Sequence, residues 1–148
     1  MCSLEEKMFV SLTRLRIRSV RFLPFFALHA YRSLKQVKIA PGFRQGLLLV
    51  DKKRTFWTMT AWDTEENMRG YMTAGSHKAA MAHLLNWCDE ASVAHWMHSE
   101  EALPSWLQAD HHMRTIGRAS KVRHPSPQHA DLGYAAPRTS ASTPITRP

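Results

Sequence analysis

Residues 47–62, with the sequence LLLVDKKRTFWTMTAW, decide the fold. The run 47–50 is continuously apolar, which is typical of a strand buried on both faces. Residues 51–54 are polar and form a turn, and residues 55–62 are rich in the aromatic and β-branched side chains that favour a second strand. Because the connection is short, the two strands are predicted to pair as an antiparallel hairpin.

Patterns on either side of this hairpin complete a β-α-β-β-α-β order. Alternation of side chains between two faces predicts the first and last strands in chain order, and apolar residues at helical spacing predict the helices. A further short helix follows the last strand. This order predicts an α+β protein of ferredoxin-like topology, with a four-stranded antiparallel sheet and helices on one face. The elements predicted around the hairpin are a strand over 8–18, helices over 22–37, 64–74 and 77–88, a strand over 92–99 and a helix over 104–117.

Large apolar residues lie on both faces of the predicted hairpin. Trp57, Met59 and Ala61 share one face of their strand, and the run 47–50 is apolar on both faces. A bare apolar sheet face usually marks an interface. We therefore expect two sheets to pack face to face in a symmetric homodimer, the dimeric α/β barrel arrangement. The alternative is a monomer whose second face is covered by its own C-terminal helix.

Composition divides the chain into a folded part and two ends. With 148 residues and 44% hydrophobic residues, the sequence predicts one folded domain over residues 8–117. Residues 1–7 are predicted to be disordered. Residues 118–148 are rich in Pro, Ser, Thr, Ala and His, a composition that predicts a disordered basic tail.

Several classes of protein are disfavoured by the sequence. The net charge of +8 is spread along the chain, and no basic strand or helix-turn-helix pattern predicts specific binding to nucleic acid. The two cysteines, Cys2 and Cys88, form neither a disulfide framework nor a zinc motif, so no metal site is predicted. No apolar run is long enough for a signal peptide or a membrane span, and a cytoplasmic location is expected.

Residues 56–68, FWTMTAWDTEENM, followed by residues 75–81, GSHKAAM, resemble the dimeric α/β-barrel superfamily, which includes antibiotic biosynthesis monooxygenase-like proteins. Within it the chain is most similar to the DUF3291-type, spheroidene-monooxygenase-like branch. The resemblance covers about residues 9–127. It implies a pocket between the sheet and the helices of each subunit, which members use for cofactor-free oxygenation, haem binding and degradation, or lactone isomerisation. A shared fold does not by itself fix the function.

The resemblance implies either no cofactor or haem. Haem-degrading members carry a tryptophan and an iron-ligating histidine where this chain has Tyr71 and Met81. Both differences weigh against haem degradation by that route. No glycine-rich phosphate loop suggests a nucleotide cofactor, and no feature of the sequence calls for a flavin.

His77 is the candidate catalytic residue. It lies in the first turn of a predicted helix, on the same face as Met81, Leu84 and Cys88. An imidazole at this place would act as an acid, a base or a ligand near neutral pH, and the helix N-terminus favours its neutral form. The alternative is a structural histidine that hydrogen-bonds across the junction between two helices.

Six further residues are candidates for ligand binding, and each has a simpler interpretation. Aromatic and apolar side chains would line the pocket or belong to the core, and hydroxyls would orient a ligand or lie on a half-buried strand. An arginine would hold an acidic ligand or make a cross-strand or dimer ion pair. These six residues are Trp62, Tyr71, Met81, Thr58, Thr60 and Arg14.

The sequence therefore predicts a monooxygenase-like protein that binds a hydrophobic small molecule and oxygenates it, either without a cofactor or with haem. A second hypothesis is a non-catalytic dimer that binds haem or another small molecule, because no catalytic partner for His77 is evident. A third is an interaction module that acts through the basic tail.

Overall fold

The computed structural model describes residues 7–148, apart from the side chain of Ser76. Four strands and three helices form the predicted core order, and a further helix and two short strands follow it. Within the described range, no helix is long and apolar enough to cross a membrane. The elements are β1 (Met8–Ile17), α1 (Leu23–Lys38), β2 (Phe43–Asp51), β3 (Thr55–Trp62), α2 (Glu65–Met72), α3 (Gly75–Trp87), β4 (Cys88–His98), α4 (Trp106–Ile116), β5 (Arg118–Ala119) and β6 (Ser142–Ile145).

The sheet has the ferredoxin-like order at its centre. Its six strands run β5-β4-β1-β3-β2-β6, and every neighbouring pair is antiparallel. The α+β ferredoxin-like prediction is confirmed, because β4-β1-β3-β2 is the order that split β-α-β units produce. The predicted count of four strands is too low, since residues beyond 117 add a short strand at each edge.

Local sequence signals explain where the helices of the second half begin. The Thr64 side chain accepts a hydrogen bond from the Asn67 backbone at the start of α2, and two glutamates occupy the first turn. Ser105 and Gln108 form a reciprocal capping box at the start of α4. Between α2 and α3 the chain turns at Gly75, whose φ of +55° is a conformation that glycine adopts without strain.

Two layers of helix cover the two faces of the sheet. Helices α1, α2 and α3 pack on the face that carries Phe9, Phe56 and Trp62. Helix α4 packs on the opposite face, where the side chains of Trp106, Ala109 and Met113 bury the residues expected to contact a second subunit. Trp57, Met59 and Ala61 are among these covered residues, and Val10 and Leu12 of β1 are buried beside them.

The argument for a face-to-face dimer is therefore corrected by the structure. The sequence shows correctly that both faces of the sheet are apolar, yet the second face is buried within the same chain. The reason is that α4 is amphipathic and follows β4 closely enough to fold back over the sheet. The alternative considered from the sequence, a face covered by the C-terminal helix, is the observed arrangement.

Residues 118–148, expected to be disordered, contribute two short strands and buried side chains to the fold. Strand β6 pairs with the edge strand β2, and the Tyr134 side chain is 6% exposed within the core under α4. The Arg138 backbone N–H donates to Asp51 at 2.9 Å. Composition misleads here because two apolar anchors, Tyr134 and Ile145, together with backbone pairing hold a segment that is polar on average. Of the predicted N-terminal disordered segment, residues 1–6 lie outside the described residues.

Candidate functional site

A cavity of about 490 Å³ lies between the sheet and helices α1, α2 and α3. Its size is within the range of small-molecule sites in proteins. The walls are predominantly apolar, and residues after β5 and within β6 complete them. Apolar lining residues from six different segments include Phe26, Leu48, Phe56, Met81, Val122 and Ile145.

The floor of the cavity is polar. Ser11 and Thr13 on β1 lie directly opposite Thr60 and Thr58 on β3, and all four residues line the cavity. The Trp62 indole N–H donates to the Thr60 hydroxyl oxygen at 2.9 Å. Thr58 and Thr60 therefore occupy the cavity as the ligand hypothesis requires, while Ser11 and Thr13 were not among the predicted residues.

His77 lines the same cavity from the first turn of α3. Its Nδ1 lies 3.3 Å from the carbonyl oxygen of Met72. Because a carbonyl only accepts, this contact places the proton on Nδ1 and leaves Nε2 as an unprotonated acceptor. Burial lowers the pKa of His77 below its usual value, and the Met72 contact opposes that shift only in part.

A glutamine of α1 fixes the backbone around His77. The Gln36 side chain accepts from the His77 backbone N–H at 3.0 Å and donates to the carbonyls of Tyr71 and Ala74. The contact of His77 with Met72 spans the junction between α2 and α3, as the structural interpretation of this histidine predicts. The two interpretations are compatible, since a histidine held through Nδ1 presents Nε2 in a fixed direction.

Tyr71 lies next to His77, with ring centroids 4.5 Å apart. Its hydroxyl donates to the Ser33 carbonyl oxygen at 3.2 Å, and burial raises the pKa of Tyr71 well above its usual value. Trp62 stacks on Tyr71 at 5.4 Å between ring centroids and is fully buried. Tyr71 lines the cavity as predicted, whereas Trp62 lies behind it and supports both Tyr71 and Thr60.

The remaining two predicted ligand residues have different positions. Met81 lines the cavity near its rim, where 41% of the residue is exposed. Arg14 lies on the opposite face of the sheet, 2.7 Å from Glu90 of β4, with its guanidinium 3.9 Å from the Tyr134 ring centroid. Arg14 therefore forms a buried cross-strand ion pair and does not line this cavity.

His29 is a cavity residue that is not among the seven site residues predicted from the sequence. It projects from α1, and its ring lies 5.3 Å from that of His83 and 5.4 Å from that of Trp87. Burial, followed by the nearby His83 and Arg32, lowers the pKa of His29. Its position three residues after Phe26, on the predicted buried face of α1, is the signal that would have found it.

The donor set limits what the cavity can hold. No group of three or more His, Cys, Asp or Glu side chains suited to a metal ion occurs among residues 7–148. Two imidazoles, His29 and His77, line the cavity, and His77 fits the role of a haem ligand because its Nδ1 contacts a carbonyl oxygen and its Nε2 is left as an acceptor. Lys121, at the rim, is a cation placed to meet an acidic group of a ligand.

No family model matches the chain, and neither does any curated protein. Solved structures match at low sequence identity. A candidate antibiotic biosynthesis monooxygenase from Nitrosomonas europaea has a TM-score of 0.55 and 12% identity, covering 68% of this chain and 96% of its own. A conserved protein from Methanosarcina mazei has a TM-score of 0.54 and 8% identity, covering 62% of this chain and 93% of its own.

A third match is the cofactor-independent oxygenase SnoaB from Streptomyces nogalater. Its TM-score is 0.50 at 16% identity, and the match covers 67% of this chain and 99% of SnoaB. The chain therefore shares the fold of antibiotic biosynthesis monooxygenase-like proteins. Each match spans nearly all of the neighbour and about two thirds of this chain, so this chain carries residues additional to the common fold.

Proposed function

We propose that this protein is a monooxygenase-like enzyme that binds a hydrophobic small molecule in the cavity and oxygenates it without a cofactor. The observation that carries the proposal is the neutral imidazole of His77, whose Nε2 is an available proton acceptor in a largely apolar cavity. The fold shared with oxygenases supports it. The resemblance of residues 56–68 and 75–81 to the DUF3291-type, spheroidene-monooxygenase-like branch also supports it.

The chemistry that suits this cavity starts from a substrate with an acidic CH₂ group. His77 removes one proton, and the resulting carbanion transfers its electrons to O₂. Formation of a C–O bond and return of the proton give a hydroperoxide, which loses water to leave a carbonyl group. One oxygen atom enters the product and the other leaves as water, so the four electrons lost by carbon reduce one O₂ and no external reductant is needed.

The apolar walls and the Tyr71 contact would serve this reaction in two ways. A cavity that excludes water raises the reactivity of a carbanion and protects the hydroperoxide from side reactions. The Tyr71 hydroxyl is held by the Ser33 carbonyl oxygen, and one side of the Tyr71 ring stacks on Trp62. Tyr71 also contacts the imidazole of His77 and restricts the orientation of that ring. Its raised pKa keeps the hydroxyl protonated, which excludes it as the base.

Oxygen uptake with anthrone tests the proposal. Anthrone has a CH₂ group between two aromatic rings and opposite a carbonyl, and the expected product is anthraquinone. Wild-type protein should consume O₂ faster than the uncatalysed reaction, and His77→Ala should lower kcat/KM by about 100-fold or more, as expected for loss of a general base. His111→Ala, an exposed histidine on α4, is the matched control. Activity of His77→Ala equal to that of the wild type would remove His77 as the base.

A second candidate function is non-catalytic binding of haem or another small molecule. The observation that favours it is the same Nδ1–carbonyl contact of His77, which is the arrangement that metal-ligating histidines commonly have. When bound, haem would supply iron chemistry or a redox centre, and this chain would supply His77 as ligand and the apolar walls. A titration with haemin, followed by the Soret band, separates the candidates. Saturable binding that is lost in His77→Ala, with no oxygen uptake above the uncatalysed rate, would favour the second.

A further inference from the structure

The four hydroxyl residues on the cavity floor lie at the centre of the sheet. Strands β1 and β3 are its two middle strands, and Ser11, Thr13, Thr58 and Thr60 form two directly opposed cross-strand pairs. Positions of this kind, on central strands under a layer of helices, normally carry Val, Ile or Leu. Four adjacent hydroxyls therefore interrupt the apolar layer where a ligand would lie.

Neighbouring protein groups do not bond to three of these four hydroxyls. Ser11 is only 7% exposed and faces the cavity, and no hydrogen bond joins its hydroxyl to another described residue. The hydroxyls of Thr13 and Thr58 likewise have no partner within residues 7–148, although opposed threonines often bond to each other. None of these three hydroxyl oxygens is among the buried unpartnered atoms of residues 7–148, and Thr13 and Thr58 are only half-buried, so the hydroxyls are reached from the cavity. A ligand that enters the cavity therefore meets three hydroxyl groups that no protein group occupies.

Thr60 differs from the other three in a useful way. The Trp62 indole N–H occupies one acceptor position of its hydroxyl oxygen. The Thr60 hydroxyl hydrogen is left free to donate, and the buried Trp62 ring fixes the position of the oxygen. Thr60 is thus an oriented donor, whereas the other three hydroxyls rotate freely and either donate or accept.

The spacing of the four groups defines what they can recognise. Alternate residues on a strand are roughly 7 Å apart and opposed residues about 5 Å apart, so the floor is a rectangle of that size. It is uncharged, and it therefore suits carbonyl and phenol oxygens better than carboxylates or ammonium groups. A flat ligand with several such oxygens would bond to the floor and present its ring atoms to the apolar helices.

We infer that Ser11, Thr13, Thr58 and Thr60 form a recognition site for the neutral oxygen atoms of a flat, largely apolar ligand and set its orientation in the cavity. The inference rests on the proposed function only in taking this cavity as the ligand site. It adds Ser11 and Thr13 to the binding residues and assigns the floor to selectivity. The base, His77, lies outside this group.

A matched pair of ligands tests this site. The probes are 1,5-dihydroxynaphthalene and naphthalene, titrated without oxygen and followed by calorimetry. Wild-type protein should bind the dihydroxy probe roughly tenfold more tightly or better, as two hydrogen bonds of ordinary strength imply. The variant Ser11→Ala/Thr13→Val/Thr58→Val should lose that preference while its affinity for naphthalene stays the same. These changes keep the shape of the residues, and circular dichroism and thermal unfolding confirm folding.

Ser92→Ala is the control for removal of a buried hydroxyl. Ser92 lies on β4, outside the cavity, and its Oγ has no partner among the described residues, so its variant should keep the wild-type preference. Equal binding of both probes by wild-type protein, or a preference that survives in the triple variant, would overturn the inference and leave the proposed function intact. Binding of neither probe would overturn both. Selective binding without oxygen uptake from anthrone would support the recognition site and overturn the proposed enzyme.

Discussion

Replacing Glu90 by Gln tests what holds the second face of the sheet together. Glu90 is 3% exposed and lies 2.7 Å from Arg14 and 2.9 Å from Arg16. Arg16 also pairs with Asp89, whereas Arg14 has no other acidic partner among the described residues. The substitution therefore leaves the Arg14 charge buried and uncompensated, which costs about 3–5 kcal/mol of the free energy of unfolding.

Urea denaturation followed by tryptophan fluorescence gives this free energy from the midpoint and slope. Glu65→Gln is the matched control, because Glu65 pairs with Arg69 on an exposed helix surface and its loss should cost less than about 1 kcal/mol. Arg14→Met combined with Glu90→Gln should be more stable than Glu90→Gln alone. A loss for Glu90→Gln no greater than that of the control, or no recovery in the double variant, would refute the reasoning.

The pH dependence of the same pair has a definite sign. Burial alone would raise the pKa of Glu90, but hydrogen bonds from Arg14 and Ser126 and the charges of Arg14 and Arg16 outweigh it and lower the pKa. The unfolded value is about 4.3. The stabilisation is therefore present above that pH and is lost as pH falls through the lower folded value. In Glu90→Gln this part of the acid sensitivity should disappear.

Three further perturbations test the site and the C-terminal cover. Because burial lowers the pKa of His77, oxygen uptake with anthrone should persist as pH falls through about 6.5 and decline only below it, and a decline at or above pH 6.5 would contradict the assignment. Tyr134→Ala removes a ring packed against Trp57 and should cost about 3–5 kcal/mol of unfolding free energy, whereas Tyr134→Phe loses only the 2.6 Å bond to Asp110 and should cost roughly 1–2 kcal/mol. The full chain should be a monomer by light scattering, and deletion of 118–148 should produce association, since it uncovers apolar sheet surface; an unchanged mass would contradict this.

The sheet could be predicted largely because its signals are local. The alternation in β1 and β3 places each side chain on the correct face, and the short turn determines how β2 and β3 pair. Strand β4 begins at Cys88, several residues before the predicted start at 92. The extension could not be recognised from the sequence, because acidic residues such as Asp89 and Glu90 are uncommon in strands. In the structure, arginines of the neighbouring strand β1 pair with both of them.

The site could be predicted only in part. Spacing along a helix correctly brings His77 and Met81 to one cavity, and the strand pattern brings Thr58 and Thr60 there as well. Arg14 lies on the face of β1 away from the cavity, because alternation separates the two faces of a strand and does not tell which of them the cavity adjoins. Ser11 and Thr13 could not be recognised as site residues from the sequence, because only the strand register sets them opposite Thr60 and Thr58.

The residues after 117 contribute to both faces of the sheet, to the core under α4 on one face and to the cavity on the other. Tyr134 packs under α4, while Ile145 of β6 and Val122 reach the opposite side and line the cavity. Gly46 makes room for this strand, because a Cβ at Gly46 would lie 2.8 Å from the Met59 carbonyl oxygen and 3.4 Å from the Ile145 side chain. Residues 118–148 thus help to bury one apolar face of the sheet and complete a wall of the cavity on the other. Removal of these residues would therefore expose that face and also open the ligand site. Sheet stability and ligand binding are for this reason expected to change together when the segment is removed.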